Sequence, residues 1–256
     1  MKVFLVIDET NFYQPNFINS LLQNSEFVFV GCALVVKVPR KNNIERYLIR
    51  NMGYLFPSEI LKLGFKKIKY WLFNKICVHN KNKFYSVKTV LKFYNIPFFY
   101  VKDNINERQY LDKIKNYLPD VILSSNSLYF KDEVLNIAKY CINRHSSLLP
   151  SYGGLWPVFQ ALRNNEKFVG VSVHLMTRGI DEGKVISQEK IEVLPSDTVD
   201  TLYQKCFELS TIVCIRAMKA LSSNTVENID TPDISYYKFP TKKQWREFRN
   251  NGKRFI

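Results

Sequence analysis

The chain opens on an unbroken apolar run, Val3 to Ile7, that stops at Asp8-Glu9-Thr10. A run of this length with a polar stop reads as a buried strand. Pro15 to Gln23 fits a helix with proline in its first turn. Phe27 to Val38 is a longer β-rich run and reads as a second buried strand. The alternation resumes with Ser86 to Tyr94 as helix, Pro97 to Val101 as strand, Gln109 to Tyr117 as helix and Asp120 to Ser124 as strand. Trp156 to Leu162 then reads as helix, Val169 to Met176 and Lys184 to Glu192 as strands, and Ser196 to Leu221 as a long helix capped by Ser196-Asp197. Leu202, Cys206, Leu209, Val213 and Ala217 form a stripe on that helix, which core packing explains. Strands that alternate with helices predict an α/β fold, with a Rossmann-like, doubly wound, mostly parallel sheet.

Residues 40–75 break the rhythm. Pro57-Ser58-Glu59 is a helix start, after which Ile60, Leu61, Phe65, Ile68, Trp71 and Leu72 fall on one side and Lys62, Lys66, Lys67 and Lys69 elsewhere. A basic amphipathic helix can lie on an anionic membrane or meet nucleic acid. The preferred expectation is that its apolar side packs on the core while the lysines reach water. The organisation expected is a unit over residues 1–222 with a helical basic insertion at about 40–75, then a short basic, aromatic extension over 223–256. That extension is expected to dock on its own domain, with nucleobase or phosphate contact as the alternative.

Charge sharpens this division. The net formal charge is +14, yet residues 37–92 hold fourteen Lys or Arg against two Glu, and residues 237–256 hold seven against one. The remainder is slightly acidic, so the basic character belongs to the insertion and the tail. Five scattered cysteines without Cys-x-x-Cys spacing argue for a reducing cytoplasm and against a zinc site. No apolar run approaches the ~18 residues of a transmembrane helix, and the opening segment reads as a strand rather than a leader. There is no Gly-x-Gly-x-x-Gly and no Walker motif, so neither a dinucleotide nor ATP is indicated.

The chemistry concentrates between Ile142 and Gly183. Asn143 and His145 stand two apart at a strand end, so both side chains share a face. Asp181 sits in a loop between Gly-Ile and Glu-Gly steps. An amide, an imidazole and a carboxylate that meet at one strand edge make a proton-transfer site. His174, on the strand-like run Val171 to Met176, reads as a core histidine. His79 lies in a polar run and reads as solvated. Asn106, in the loop after Val101, carries a turn reading ahead of a substrate-contact one.

Asn143-x-His145, Ser147-Leu148-Leu149-Pro150-x-Tyr152-x-Gly154 and Gly170-Val171-x-Val173-His174-x-Met176-x4-Asp181-x-Gly183 together resemble the signature of the folate-dependent formyltransferases. The resemblance covers about residues 90–190. It departs at Arg144, where the family has an apolar residue, and at Ser146, where it has proline. It implies an enzyme that takes a formyl group from 10-formyltetrahydrofolate, with Asn143, His145 and Asp181 as the catalytic set. It also implies that main-chain groups around Leu128, Tyr129, Phe130 and Lys131, and around Met176, Gly179 and Ile180, hold the pteridine. Tyr152 and Gly154 would shape the loop beside the catalytic face, after a cis peptide at Leu149-Pro150. No metal is implied.

Within the family, the acceptor follows by elimination. The Gly-rich phosphate loop of the glycinamide enzymes is replaced after the first strand by Ile-Asp-Glu-Thr-Asn-Phe-Tyr. Only about 35 residues follow the long helix, fewer than the ~40 that fold unaided, so the barrel of the methionyl-tRNA enzymes is not expected. The first strand begins at residue 3, so neither is the N-terminal regulatory domain of the formyl-folate hydrolases. The expectation is a primary amine on a nucleotide-linked sugar. Methionyl-tRNA, met through the basic insertion, is the alternative. A non-enzymatic membrane- or RNA-binding module is the alternative of another class. A homodimer is among the assemblies the sequence allows.

Overall fold

The computed structural model describes residues 1–10, 12–39, 42–76, 83–226, 229 and 234–256; His79 and Cys77 lie outside them. In chain order the elements are β1 (Lys2–Asp8), α1 (Gln14–Asn24), β2 (Val28–Lys37), α2 (Ile44–Arg50), α3 (Pro57–Lys75), α4 (Val87–Phe93), β3 (Phe98–Lys102), α5 (Arg108–Lys115), β4 (Val121–Ser125), α6 (Asp132–Leu135), β5 (Tyr140–His145), β6 (Gly153–Gly154), α7 (Pro157–Arg163), β7 (Phe168–Leu175), β8 (Val185–Glu192), α8 (Val199–Ser223), β9 (Tyr236–Tyr237) and α9 (Lys242–Asn250).

Among the described residues, one seven-stranded sheet has the order β3-β2-β1-β4-β5-β7-β8. The first five strands are parallel, and β7 and β8 add antiparallel. Alternation along β1 builds a core on each face: Val3, Leu5 and Ile7 enter a large cluster with α1, α4, α7 and α8, while Phe4 and Val6 enter a smaller one with α5. The strand order reverses direction between β1 and β4, and the crevice at the carboxyl ends there is where such sheets bind ligands.

The sequence-predicted elements are present with ends shifted by one to three residues. Ser86 caps α4, accepting from the amide of Thr89. The cap of α8 is Thr198 rather than Ser196-Asp197: its hydroxyl accepts from the Thr201 amide while the Thr201 hydroxyl accepts from the Thr198 amide. Asp197 instead accepts from the Leu194 amide and from Lys205.

One region differs more. Along α3, the side expected to pack on the core faces solvent, with Leu61, Phe65 and Ile68 more than three-fifths exposed. The contacts inward come from Glu59, Leu63, Lys66 and Tyr70. The C-terminal stretch does dock, and deeply. Trp245 and Phe248 are fully buried in the same cluster as α7 and α8, with the Phe159 ring 4.7 and 4.4 Å from theirs. Trp245 Nε1 donates to Tyr47 Oη at 2.6 Å, and Arg249 pairs with the buried Glu59. The tail therefore clamps α2 and α3 to the body.

Truncating such a buried ring leaves a cavity, so Trp245→Ala should cost about 3–5 kcal/mol. Urea unfolding measures it; an unchanged midpoint would mean that the tail is a dispensable appendage.

Candidate active site

Strand register assembles the site before any loop is considered. Asn143 lies opposite His174, and His145 opposite Ser172, in the antiparallel β5–β7 pair. Opposite residues project to the same side, so His174 joins Asn143 and His145 there. Asn143 Nδ2 is 3.3 Å from His174 Nε2, and His174 Nδ1 is 2.8 Å from the Leu175 carbonyl, to which it donates. The loop after β7 then brings Asp181 back over the pair. Asp181 Oδ2 is 3.6 Å from His145 Nδ1, and its Oδ1 is 3.5 Å from His174 Nε2. His145 Nε2 donates to the Tyr152 carbonyl at 3.1 Å.

Asp181 is nine-tenths buried. Burial alone would raise its pKa. The charge of His145, the proximity of His174 and the Gly154 N–H, which donates to Oδ2 at 2.8 Å, outweigh that and hold the carboxyl well below the usual range. Burial lowers the pKa of His145, while Asp181 works in the opposite direction. Both ring nitrogens of His145 face acceptors, so a proton on this imidazole has two partners. His174 Nε2 can accept from Asn143 only while it carries no proton; once protonated it can donate to Asp181 instead.

The three residues expected to act together are thus together. Sequence reasoning placed His174 in the core. Burial bears that out, at 2 % exposure, but its contacts put it in the site, and its place opposite Asn143 was the signal. Tyr152 is different. Its ring turns away, with Oη donating to Glu166 at 2.6 Å and the ring stacked on Tyr237; what reaches the site is its carbonyl. Gly154 lines the cavity at φ +90°, and a Cβ there would stand 2.1 Å from the Tyr237 carbonyl oxygen. The Leu149-Pro150 bond is cis.

Arg144 points to the opposite face of β5. Its guanidinium lies 3.9 Å over the Phe207 ring of α8 and Nε donates to Ser210 at 2.6 Å. No carboxylate is paired with it among the described residues.

The site opens into a cavity of about 1150 Å³, lined among others by Leu128, Tyr129, Phe130, Lys131, Met176, Gly179 and Ile180. The two loops that supply these residues are fastened together: Tyr129 Oη donates to the Arg178 carbonyl at 3.1 Å, and Arg178 pairs with Asp132. Asn106 acts as a strut, its amide donating to the Tyr129 carbonyl and accepting from the Lys131 N–H. It shapes the 128–131 loop, as its turn reading implies. Tyr236, Lys238 and Phe239 of the tail line the same cavity. Its size, apolar walls and main-chain edges fit a pteridine, a flat ring with donors and acceptors along one edge.

The family described as formyl transferase matches residues 74–218. The chain is 34% identical over 218 residues to the bifunctional polymyxin resistance protein ArnA of Wigglesworthia glossinidia brevipalpis, across 80% of this chain and 32% of that protein. It is 32% identical over 143 residues to methionyl-tRNA formyltransferase of Thermotoga maritima, across 55% and 45%. The chain thus matches about a third to under half of these relatives' lengths. Among solved structures, phosphoribosylglycinamide formyltransferase from Anaplasma phagocytophilum aligns with a TM-score of 0.61 at 18% identity, covering 90% of this chain and 91% of that one. An N-formyltransferase from Helicobacter canadensis, in complex with folinic acid and dTDP-3-aminofucose, aligns with a TM-score of 0.55 at 18% identity, covering 98% and 80%. At these identities the structural likeness speaks for the fold.

A second carboxylate behaves in the reverse sense. Asp8, at the carboxyl end of β1, lines the cavity; Oδ2 accepts from Ser127 Oγ at 2.8 Å, while Oδ1 is buried without a partner among the described residues. Burial pushes its pKa up to about 6, against the Ser127 hydrogen bonds. The folded state therefore holds this proton more tightly than the unfolded chain. Stability is lost as pH rises from about 4 to about 6, by about 3 kcal/mol in total. Asp8→Asn should abolish that loss. Urea midpoints of parent and variant should be close at pH ~4 and diverge in the variant's favour by pH ~7; a constant difference would contradict the buried-acid assignment.

Proposed function

The chain belongs to the formyl transferase family, and from that premise we propose that it moves a formyl group from 10-formyltetrahydrofolate to a primary amine carried by a nucleotide-linked sugar. The observation that carries the reaction class is the cluster itself: a buried carboxylate within 3.6 Å of two imidazoles, one of them beside an amide, at the wall of a cavity large enough for two substrates.

In this reaction the amine nitrogen bonds to the formyl carbon, and the bond from that carbon to the folate nitrogen breaks. One proton passes from the first nitrogen to the second. Asn143 Nδ2 is the donor for negative charge developing on the formyl oxygen, a role worth about 3–4 kcal/mol per donor in comparable sites, and His145, its two ring nitrogens turned to Asp181 and the Tyr152 carbonyl, sets positive charge beside it when it carries a second proton. Asp181 keeps His145 oriented, and through a water it takes the proton of the amine and returns it to the leaving nitrogen. The Tyr152 carbonyl fixes the imidazole ring from the other side. Main chain at 128–131 and 176–181 would hold the pteridine, so side-chain identity would matter little there. In this reading residues 1–222 are the catalytic unit and 223–256 close its cavity.

For the acceptor, the tail supports the sugar reading. Tyr236 and Phe239 offer ring faces and Lys238 a cation at the cavity wall, a combination suited to a nucleobase and its phosphates. The Helicobacter canadensis neighbour was solved with such a nucleotide sugar. The second reading, methionyl-tRNA, is favoured by the naming of the Thermotoga maritima relative and by the basic 40–75 segment.

Purified protein given labelled 10-formyltetrahydrofolate and both acceptors should label the amino sugar; formyl-methionyl-tRNA as the only product would eliminate the sugar. Asp181→Asn retains an acceptor for the Gly154 amide, so it should fold and bind folate yet lose about 10²–10⁴ in turnover. Near-parental rates would rule out the proton-transfer role.

A further inference from the structure

Helix α3 presents its apolar stripe to water. Its inner side is tied down: Glu59 takes Arg249 and the Phe255 amide, Lys66 Nζ is 2.5 Å from Asp200 Oδ1, and Tyr70 meets Tyr85 edge to face at 5.1 Å. These contacts fix the rotation of the helix about its axis. The outer side then carries Leu61, Phe65, Ile68 and Leu72, 65, 75, 63 and 42 % exposed, with Trp71 at 57 %. Spacings of four, three and four place them in one line. Lys62 and Lys69 flank the line on one side; Lys67, on the other, is paired with Glu45. A helix of a water-soluble domain ordinarily turns such a stripe inward.

Charge decides what covers this face. Residues 42–76 hold seven Lys or Arg against two Glu. A second copy docked by the same patch would set two cationic rims against each other. A nucleic acid would take the lysines but has no bed for four adjacent aliphatic and aromatic side chains. An anionic lipid leaflet takes both, with phosphates for the lysines and the acyl boundary for the stripe. Amphipathic helices lie there about 5–10 Å deep, with tryptophan at the headgroup level.

We propose that α3 docks this protein reversibly on an anionic bilayer, lying in the headgroup plane. None of the described helices is long and apolar enough to cross a membrane, so the contact is peripheral. Leu63 and Lys66, on the opposite side of the same helix, line the active-site cavity, which keeps the cavity on the side away from lipid. The proposal does not depend on the formyl-transfer reading.

The full chain is mixed with vesicles of phosphatidylcholine alone, or of phosphatidylcholine with an equal share of phosphatidylglycerol, and sedimented. It should pellet with the anionic vesicles only, and high salt should release it. Trp156 and Trp245 are buried, so a blue shift of tryptophan emission on binding reports Trp71. The double variant Phe65→Glu/Ile68→Glu should bind about tenfold or more weakly, and Lys62→Glu/Lys69→Glu should also weaken binding; both should keep the parental circular dichroism. Three outcomes overturn the proposal: no binding to anionic vesicles, a dimer in sedimentation velocity that the Phe65/Ile68 variant abolishes, or tRNA binding lost on lysine reversal without any vesicle binding.

Discussion

A carboxylate taken out of water must be met by donors or opposite charge, and the site of this protein is arranged around how Asp181 meets that demand. An uncompensated buried charge would cost several kcal/mol. Here the compensation comes from three places: the imidazoles of β5 and β7, and the N–H of Gly154. Each is held by something further out. Asp181 itself adopts φ 59°. Gly154 pairs with the tail strand β9, whose backbone leaves no room for a Cβ. His174 is held by the carbonyl next to it. One anion thereby ties together the loop after β5, the loop after β7 and the C-terminal segment.

Much of this was legible in the chain because the signals are local. Two-residue spacing put Asn143 and His145 on one face, and strand-helix alternation gave the sheet. What escaped is what depends on tertiary placement. His174 sits in a run whose apolar neighbours describe a core strand, and only the register with β5 shows that it faces Asn143. The α3 stripe was visible, but periodicity gives the width of an apolar face and not its direction. That direction is set by Glu59 meeting Arg249, 190 residues away. The cap of α8 went to Thr198 because its hydroxyl and that of Thr201 satisfy each other's amides, leaving Asp197 to the loop and Lys205. The β6–β9 pairing is two residues long, below what any pattern reveals.

Arg144 shows how one strand carries polar groups to two faces. It stands between Asn143 and His145 in sequence, yet successive side chains alternate, so its charge enters the opposite face against Phe207 and Ser210. Burial lowers its pKa, and the ring face replaces a carboxylate partner. The cavity holds a similar contrast between Asp8 and Asp181. Both are buried acids, but Asp8 has one oxygen left without a donor and holds its proton, while Asp181 has partners at both oxygens and loses it. Environments that push like groups in opposite directions are how one pocket keeps an acid and a base side by side.

The sulfur atoms carry a last consequence. Cys32, Cys141, Cys206 and Cys214 are all buried and unbridged, and desolvation pushes the thiols of the last three up to about 12 and that of Cys32 upward as well. Nucleophilic attack on peroxides and electrophiles needs thiolate. At neutral pH these positions hold almost none, so oxidants that silence thiol-dependent enzymes would find little to modify there.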